Sequence, residues 1–451
     1  MKNKKVLRPI RPIRQAQSKR AQDKKNEKIN KVTVVGLGYV GLPTTVAIAK
    51  TKLYEVVGFD VDKNKIEKIK SGINPVEDKN VSLFLRDDKL EVSFSEKSLE
   101  NSDVFIICVP TPVDENYEPD YTIVEKAVSL VSKYVKKGNH VVLESTVNPG
   151  TCEERLVPII EKISKLKVGK DLNLAHCPER INPGDSRWTI YNINRNIGSI
   201  SKKFNKQIAE FYRSFVVDAK VNEVSCLKVA EATKIVENTF RDINIAYVNE
   251  LAMSFDVLGI DLKETLEASS NKPFAFMAHW PGCGVGGHCI AVDPYYLIKR
   301  AALSGFDHRF LKVAREINNG MPQYTVDKLI KEMEKLKLPL KSTKVTLLGL
   351  TYKANVSDLR ESPSLVIKEI LESMGVDLLV YDPYVKSDFK NLEEAVDGSV
   401  AIILGTAHQE FINNLPSILK KSKVKIVIDG KNCLDKDEIT KINIVYKGIG
   451  R

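Results

Sequence analysis

The sequence predicts an α/β protein: two Rossmann-like doubly wound domains joined by a helical central domain with a long helix. Three observations predict it. Short apolar runs ending in glycine or an acid alternate with helical segments near the N-terminus. The same scheme recurs in the last third of the chain. Between the two lies a long stretch with few helix breakers.

In the first domain, Val32–Gly36 reads as a buried strand entering a glycine turn, followed by a helix from about Leu42 to Lys50. Glu55–Asp60 reads as a second strand ending in an acid, with helical Lys63–Ser71 after it. Val104–Val109 and Val141–Ser145 are further strands. In the last third, Lys344–Gly349 repeats the first strand and its glycine, and Asp377–Asp382 repeats the second strand and its acid. Leu365–Ser373 is helical between them, while Val400–Thr406 and Val424–Asp429 complete the scheme. From Glu223 to about Gly259, Val229, Ala232, Ile235, Val236, Phe240 and Ile243 mark one apolar helical face. A second helix is expected over Arg309–Asn319. These elements divide the chain into a basic disordered tail (1–30), a first Rossmann domain (31–218), a central domain (219–340) and a second Rossmann-like domain (341–451). The long helix is the expected surface for a homodimer.

Charge and cysteine usage narrow the class. The net charge is +11, but residues 1–31 hold eight Lys and four Arg against Asp23 and Glu27, so the body is near neutral. A basic tail on a neutral body argues against a nucleic-acid-binding protein. No run of about 18 apolar residues occurs, so no membrane span is expected. The N-terminus lacks the apolar stretch of a secretory signal, and cytoplasmic residence is the expectation. The seven cysteines are scattered and include no Cys-x-x-Cys pair, which predicts neither a disulfide framework nor a zinc site.

Gly36-Leu37-Gly38-Tyr39-Val40-Gly41 is G-x-G-x-x-G. It follows a strand, opens a helix, and has Asp60 at the end of the next strand, which is the context of a dinucleotide site. Gly36 makes the turn, Gly38 admits the pyrophosphate to the helix N-terminus, and Gly41 allows close packing. Asp60 is suited to the adenosine ribose and repels a 2′-phosphate, so NAD is expected rather than NADP. The second domain has Leu350-Thr351-Tyr352-Lys353 after Gly349, with no glycine pair. Lys353 and Arg360 there suit a different phosphorylated nucleotide.

Pro281–Cys289 contains four glycines in nine residues and ends in a thiol, with Asp293 four residues on. A thiol beside such a loop is a candidate nucleophile, set against the ordinary alternative of an inert buried thiol. Lys234, Asn238 and Arg241 share one face of the central helix.

Taken in order, Cys177-Pro-Glu-Arg-Ile-Asn-Pro-Gly184, Lys234-x-x-x-Asn238, Gly286-Gly-His-Cys-Ile-x-Val-Asp-Pro294 and Tyr352-Lys353 with Asp358-x-Arg-Glu-Ser-Pro363 resemble the UDP-glucose/GDP-mannose dehydrogenase family over about residues 31–435. The Pro-Glu-Arg-x-x-Pro-Gly and Gly-Gly-His-Cys forms, with Lys272–Met277, are most similar to the branch acting on UDP-N-acetylhexosamines, UDP-N-acetylglucosamine foremost. The resemblance implies an NAD-dependent oxidation of the sugar C6 hydroxyl to a carboxylate, supplying surface polysaccharide or glycan precursors. It implies Cys289 as nucleophile, Lys234 and Asn238 as stabilisers of charge on the sugar oxygen, and Asp293, Thr146 and Glu179 around the water. Arg180, Arg241, Gly286, Tyr352 and Lys353, with Lys234 and Asn238, would meet the UDP-sugar. Lys65, Thr111, Thr146 and Arg360 would complete the NAD site with Gly36, Gly38, Tyr39, Val40, Gly41 and Asp60, and no metal is implied. Cys283, Lys431 and Pro183 depart from the family pattern. UDP-N-acetylmannosamine and UDP-glucose are the alternative substrates. A two-electron hydroxyacid dehydrogenase on the same fold would leave Cys289 and the second Rossmann-like domain without a task.

Overall fold

A computed structural model describes residues 29–451 except 77, 115–116, 182–186, 288 and 388. The tail read as disordered lies outside the described residues. So do His288 and Pro183.

The first sheet has eight strands: β1 (Lys31–Val35), β2 (Glu55–Phe59), β3 (Val92–Ser93), β4 (Val104–Ile107), β5 (His140–Leu143), β6 (Asn173–His176), β7 (Arg195–Ser199) and β8 (Val221–Glu223), in the order β3-β2-β1-β4-β5-β6-β7-β8. Pairing is parallel except between β6 and β7. The second sheet has five parallel strands, β9 (Lys344–Leu348), β10 (Asp377–Tyr381), β11 (Ala401–Leu404), β12 (Ile426–Asp429) and β13 (Val445–Gly448), in the order β10-β9-β11-β12-β13. Each sheet reverses its winding beside its first strand, between β1 and β4 and between β9 and β11. Both crevices open at strand carboxyl ends, where such sheets bind ligands. The central strands are apolar on both faces because helices cover both, as in Val-Phe-Ile-Ile of β4 and Ala-Ile-Ile-Leu of β11.

The central domain departs from expectation in two ways. The helix starting at Arg309 continues to Lys335, well beyond Asn319, and carries Gly320 and Pro322 inside it. Burial of Met321, Thr325, Val326, Leu329 and Met333 against its neighbours overrides the local breaking signals. The long helix Leu227–Leu258 has the expected period, but only part of the expected face is covered: Ile235 is buried and Ala232 and Ile243 half-buried. Val229, Val236 and Phe240 are exposed at 41%, 57% and 50%, whereas Glu231, Thr239, Asp242 and Asn249 are buried. Its contact with Arg309–Lys335 is a polar network. Asp242 accepts from Arg315 (2.6 Å) and Asn318 (2.8 Å), Asn249 Nδ2 donates to Asn318 (2.9 Å), and the Asn249 side-chain Oδ1 accepts from Gly282 N–H (3.0 Å). A buried polar contact requires partners in one orientation, so this network sets the position of the glycine loop as well as the helix crossing.

Candidate active site

The dinucleotide end is built by β1 and the turn after it. Gly36 adopts φ +92°, and its N–H donates to Phe59 O at 2.8 Å. A Cβ on Gly41 would lie 1.8 Å from Gly36 O, so only glycine closes the turn, whereas a Cβ on Gly38 would meet nothing within 4 Å. That open space above the helix Gly41–Thr51, whose first turn holds no acid, fits a pyrophosphate. Tyr39 is exposed at the rim and Val40 half-buried. Asp60 is buried. Its Oδ2 accepts from Leu37 N–H (2.8 Å) and Lys65 Nζ (2.7 Å), its Oδ1 from Asp62 N–H (3.0 Å). Burial pushes this carboxyl up, but the Lys65 and backbone hydrogen bonds outweigh it and hold the acid below its usual range. Lys65 therefore offsets the charge expected to repel a 2′-phosphate. Thr111, also buried, accepts through its carbonyl from Tyr296 OH (2.9 Å), tying this domain to the helix Asp293–Leu303; Thr146 is half-buried in the loop after β5.

The other end of the candidate site is the glycine-rich loop ending at Cys289. Its glycines are demanded by protein rather than by open space for a ligand. A Cβ on Gly286 would lie 2.6 Å from Glu361 O and 2.7 Å from Tyr352 Cβ. Gly287, at φ +86°, would place one 2.6 Å from the Tyr352 ring. The loop is thus pressed onto the second Rossmann-like domain, and Gly287 N–H donates to Arg360 O at 3.0 Å. The two thiols of the loop have opposite settings. Cys283 is buried against Gly405 and Gly430, and Cys289 is exposed. The Cys289 carbonyl accepts from Val292 N–H (3.2 Å) and Asp293 N–H (2.8 Å), so the thiol stands one turn before the helix Asp293–Leu303. Although its surface is accessible, the surrounding wall is dense enough that desolvation pushes the thiol up; Asp293 adds to this, and Lys234 and Arg360 oppose it.

Lys234 and Asn238 present to this point from the central helix. Asn238 Nδ2 donates to Asp293 Oδ2, and Lys234 acts on both Asp293 and Cys289. Burial raises Asp293 to about 6, against the pull of Lys234 and the Asn238 hydrogen bond. A carboxyl poised there changes protonation in the range where a base is useful. Four residues named from sequence are thus gathered, Cys289, Asp293, Lys234 and Asn238, with Arg360 acting on the thiol from the second domain.

Other expected residues stand differently. Glu179 is buried, paired with Arg195, and accepts the N–H groups of Arg180 (2.6 Å) and Ile181 (2.7 Å). Its charge acts on Cys108, Glu144, Cys177 and Arg195 rather than on Cys289. Arg180 is held by Glu237 (2.9 Å) and Asn194 O (2.9 Å), and Arg360 lies on Asp358 (2.6 Å). Arg241 is exposed, and Lys353 is half-exposed in the turn after β9. The sequence reading missed a buried group behind β5: Glu144 accepts from Tyr212 OH (2.6 Å), and Arg195 lies between Glu144 and Glu179 in charge. Its one signal was an acid closing the apolar run Val141–Glu144. Among the described residues no cluster of His, Cys, Asp or Glu has the form of a metal site, and no helix is long and apolar enough to cross a membrane.

Three sequence profiles match in succession: the NAD binding domain of the UDP-glucose/GDP-mannose dehydrogenase family at residues 30–216, its central domain at 228–320 and its UDP binding domain at 346–436. The chain is 38% identical to the UDP-N-acetyl-D-glucosamine 6-dehydrogenase of Pseudomonas aeruginosa, covering 90% of this chain and 98% of that protein. It is 37% identical to the UDP-N-acetyl-D-mannosamine dehydrogenase of Pyrococcus horikoshii, covering 93% and 99%. The solved structure of a UDP-D-ManNAc dehydrogenase from Pyrococcus horikoshii superposes with a TM-score of 0.86 at 37% identity, over 93% of this chain and 99% of that one.

Proposed function

The chain belongs to the UDP-glucose/GDP-mannose dehydrogenase family and is an NAD-dependent nucleotide-sugar dehydrogenase, and from that premise we propose that it oxidises the C6 hydroxyl of a UDP-N-acetylhexosamine, UDP-N-acetylglucosamine foremost, to the uronate. The observation that carries the reading is the exposed Cys289 thiol, faced by Lys234 and by Asp293 with its pKa raised to about 6. Bound at the Gly36–Gly41 turn, NAD would supply the hydride acceptor for each of the two oxidations. The protein's residues do the rest. Lys234, with Asn238 beside it, stabilises negative charge on the sugar oxygen as the alcohol loses its proton. The Cys289 sulfur adds to the C6 aldehyde, its proton passing to the former carbonyl oxygen, and the new C–S bond makes a thiohemiacetal, so that no free aldehyde leaves. Loss of the second hydride makes the thioester. Asp293 then takes a proton from the attacking water, the C–S bond breaks, and the carboxylate departs as the thiol is restored. In this scheme Glu179 orders the turn carrying Arg180 and does not handle water. Thr146 lines the cofactor side, and Arg180, Arg241, Gly286, Tyr352 and Lys353 receive the UDP-sugar.

The acetamido group selects the branch. Leaving a buried amide partner unpaired costs roughly 1–3 kcal/mol, about tenfold to a hundredfold in kcat/KM against UDP-glucose. Relatives at 38% and 37% identity carry the names of the two C2 epimers, so the assay includes both. The experiment is a panel of UDP-N-acetylglucosamine, UDP-N-acetylmannosamine and UDP-glucose, with NADH counted per sugar consumed. Two NADH and a uronate are expected. One NADH with free aldehyde as the final product refutes the thioester route, and UDP-glucose as best substrate refutes the branch.

The homodimer belongs to the same proposal. Val229, Val236, Phe240 and Tyr247 form an exposed apolar stripe on the long helix, which supports pairing with a second copy. Sedimentation equilibrium should give the dimer mass, and a Phe240→Glu variant should run as a monomer.

A further inference from the structure

The long helix carries a buried acid one turn before Lys234. Glu231 is wholly inaccessible, yet neither of its oxygens meets a cation among the described residues. Oε2 accepts the N–H of Gly150 at 2.5 Å and Oε1 the N–H of Cys152 at 2.8 Å. Those amides open the helical segment Cys152–Ser164, so the carboxylate satisfies two of the donors that a helix start leaves free, at the end whose dipole favours an anion. The segment they close begins at Ser145, whose hydroxyl donates to Val109 O at 2.6 Å, and it includes Thr146. The loop is therefore tied at one end to its own sheet and at the other to the central helix. A backbone-only turn would satisfy the loop without charge, and an apolar side chain would fill the helix contact. What a buried carboxylate adds is a fixed length and direction between two domains.

We infer that Glu231 is a positioning residue that sets the Thr146 loop of the cofactor domain in register with Lys234 and Asn238. Glu231, Lys234 and Asn238 stand at i, i+3 and i+7, on one face of the helix and about 10 Å from end to end. Along that face they hold, in order, the loop after β5, the charge environment of Cys289 and the Asp293 carboxylate. The inference rests on the proposed reading, in which hydride leaves a carbon held over Lys234 for a cofactor held by the domain that carries Thr146. A displacement of about 1 Å between such partners costs about a hundredfold in rate.

The test uses the full chain and the variants Glu231→Gln, Glu231→Asp and Glu153→Gln. Glu153 pairs with Lys228 across the surface of the same two elements at 3.1 Å and serves as the control. Gln is isosteric but presents an NH2 to one of the two amides. Asp keeps the charge but is too short to reach both. Expected for Glu231→Gln is a kcat lowered about tenfold to a hundredfold with the UDP-sugar KM within about threefold. Its amide exchange should rise only in the segment 145–156, and Cys289 should be alkylated by iodoacetamide at the wild-type rate. Glu231→Asp should fall between, and Glu153→Gln should match wild type. An undiminished kcat in Glu231→Gln overturns the inference, as does exchange raised throughout the molecule, which would mark a purely structural acid. If Glu231→Gln does not fold, Glu231→Asp decides on the same readouts. If the wild-type protein yields no NADH from any UDP-sugar, it is the functional reading that has failed. Exchange in 145–156 then decides the inference alone, a local rise upholding the tie and no rise overturning it.

Discussion

Replacing Gly287 by alanine puts a methyl group where the structure has two reasons to refuse it. The residue sits at φ +86°, and the new Cβ would lie 2.6, 2.9 and 3.0 Å from three carbons of the Tyr352 ring. The left-handed conformation costs an L residue about 1–2 kcal/mol. Overpacking a formed contact costs about 1–3 kcal/mol more, the lower part of that range if the half-buried Tyr352 ring swings aside. Together this is about 2–5 kcal/mol, a large share of the roughly 5–15 kcal/mol that holds a typical domain folded. Relief by retreat of the loop would break the 3.0 Å bond from Gly287 N–H to Arg360 O and move Cys289, two residues on. Either outcome is measurable. The urea midpoint should fall, and kcat should drop by about a hundredfold if the thiol moves by about 1 Å. A double-mutant cycle isolates the ring. In a Tyr352→Ala background the same Gly287→Ala change should cost only the backbone part, leaving a coupling of about 1–3 kcal/mol. An unchanged midpoint with undiminished turnover, or a cycle with no coupling, would refute the claim that this glycine exists for contact with the second domain.

The remaining predictions concern charge and thiol chemistry. Cys289→Ala should abolish uronate formation, while Cys283→Ala should lower stability by about 1–2 kcal/mol through a small cavity and keep most of the activity; the reverse pattern would identify Cys283 as the nucleophile. Asp293 has a folded pKa raised by burial to about 6, so it binds its proton more tightly folded than unfolded. Its contribution to stability is therefore full below about pH 4 and is lost as pH rises through 6, while base catalysis appears over the same interval. The kcat/KM profile should show an acid limb near 6 that Asp293→Asn removes. Lys234 is the stronger of the two cations acting on a thiol already pushed up, so Lys234→Ala should slow alkylation of Cys289 at pH 8 by about tenfold or more. Lys65→Ala should sharpen the preference for NAD over NADP by exposing the charge of Asp60, and Asp60→Ala should narrow it; equal effects in one direction would contradict the pairing seen between them.

Much of this protein is local in origin and was legible residue by residue. Strand runs such as Val-Thr-Val-Val and Val-Phe-Ile-Ile, the G-x-G-x-x-G turn and the acid after β2 carry their meaning in short-range sterics and hydrogen bonding. That is why the alternation of strands and helices and the crevice at Gly36–Gly41 followed from the chain alone. What the tertiary structure decided depends on groups far apart in sequence. The helix from Arg309 runs through Gly320 and Pro322 because burial of the residues beyond them outweighs the lost hydrogen bond. The same long-range packing turned the central helix in part: of its apolar period Ile235 is buried, but Val229, Val236 and Phe240 face outward, while partners at Arg315, Asn318, Gly150 and Cys152 drew Asp242, Asn249 and Glu231 inward. The ring of Tyr352 against Gly287 and the arginine on Glu179 are likewise facts of assembly. Periodicity reports which side chains share a face. Whether that face meets water, a buried carboxylate or another domain is set by elements that only the folded chain brings together.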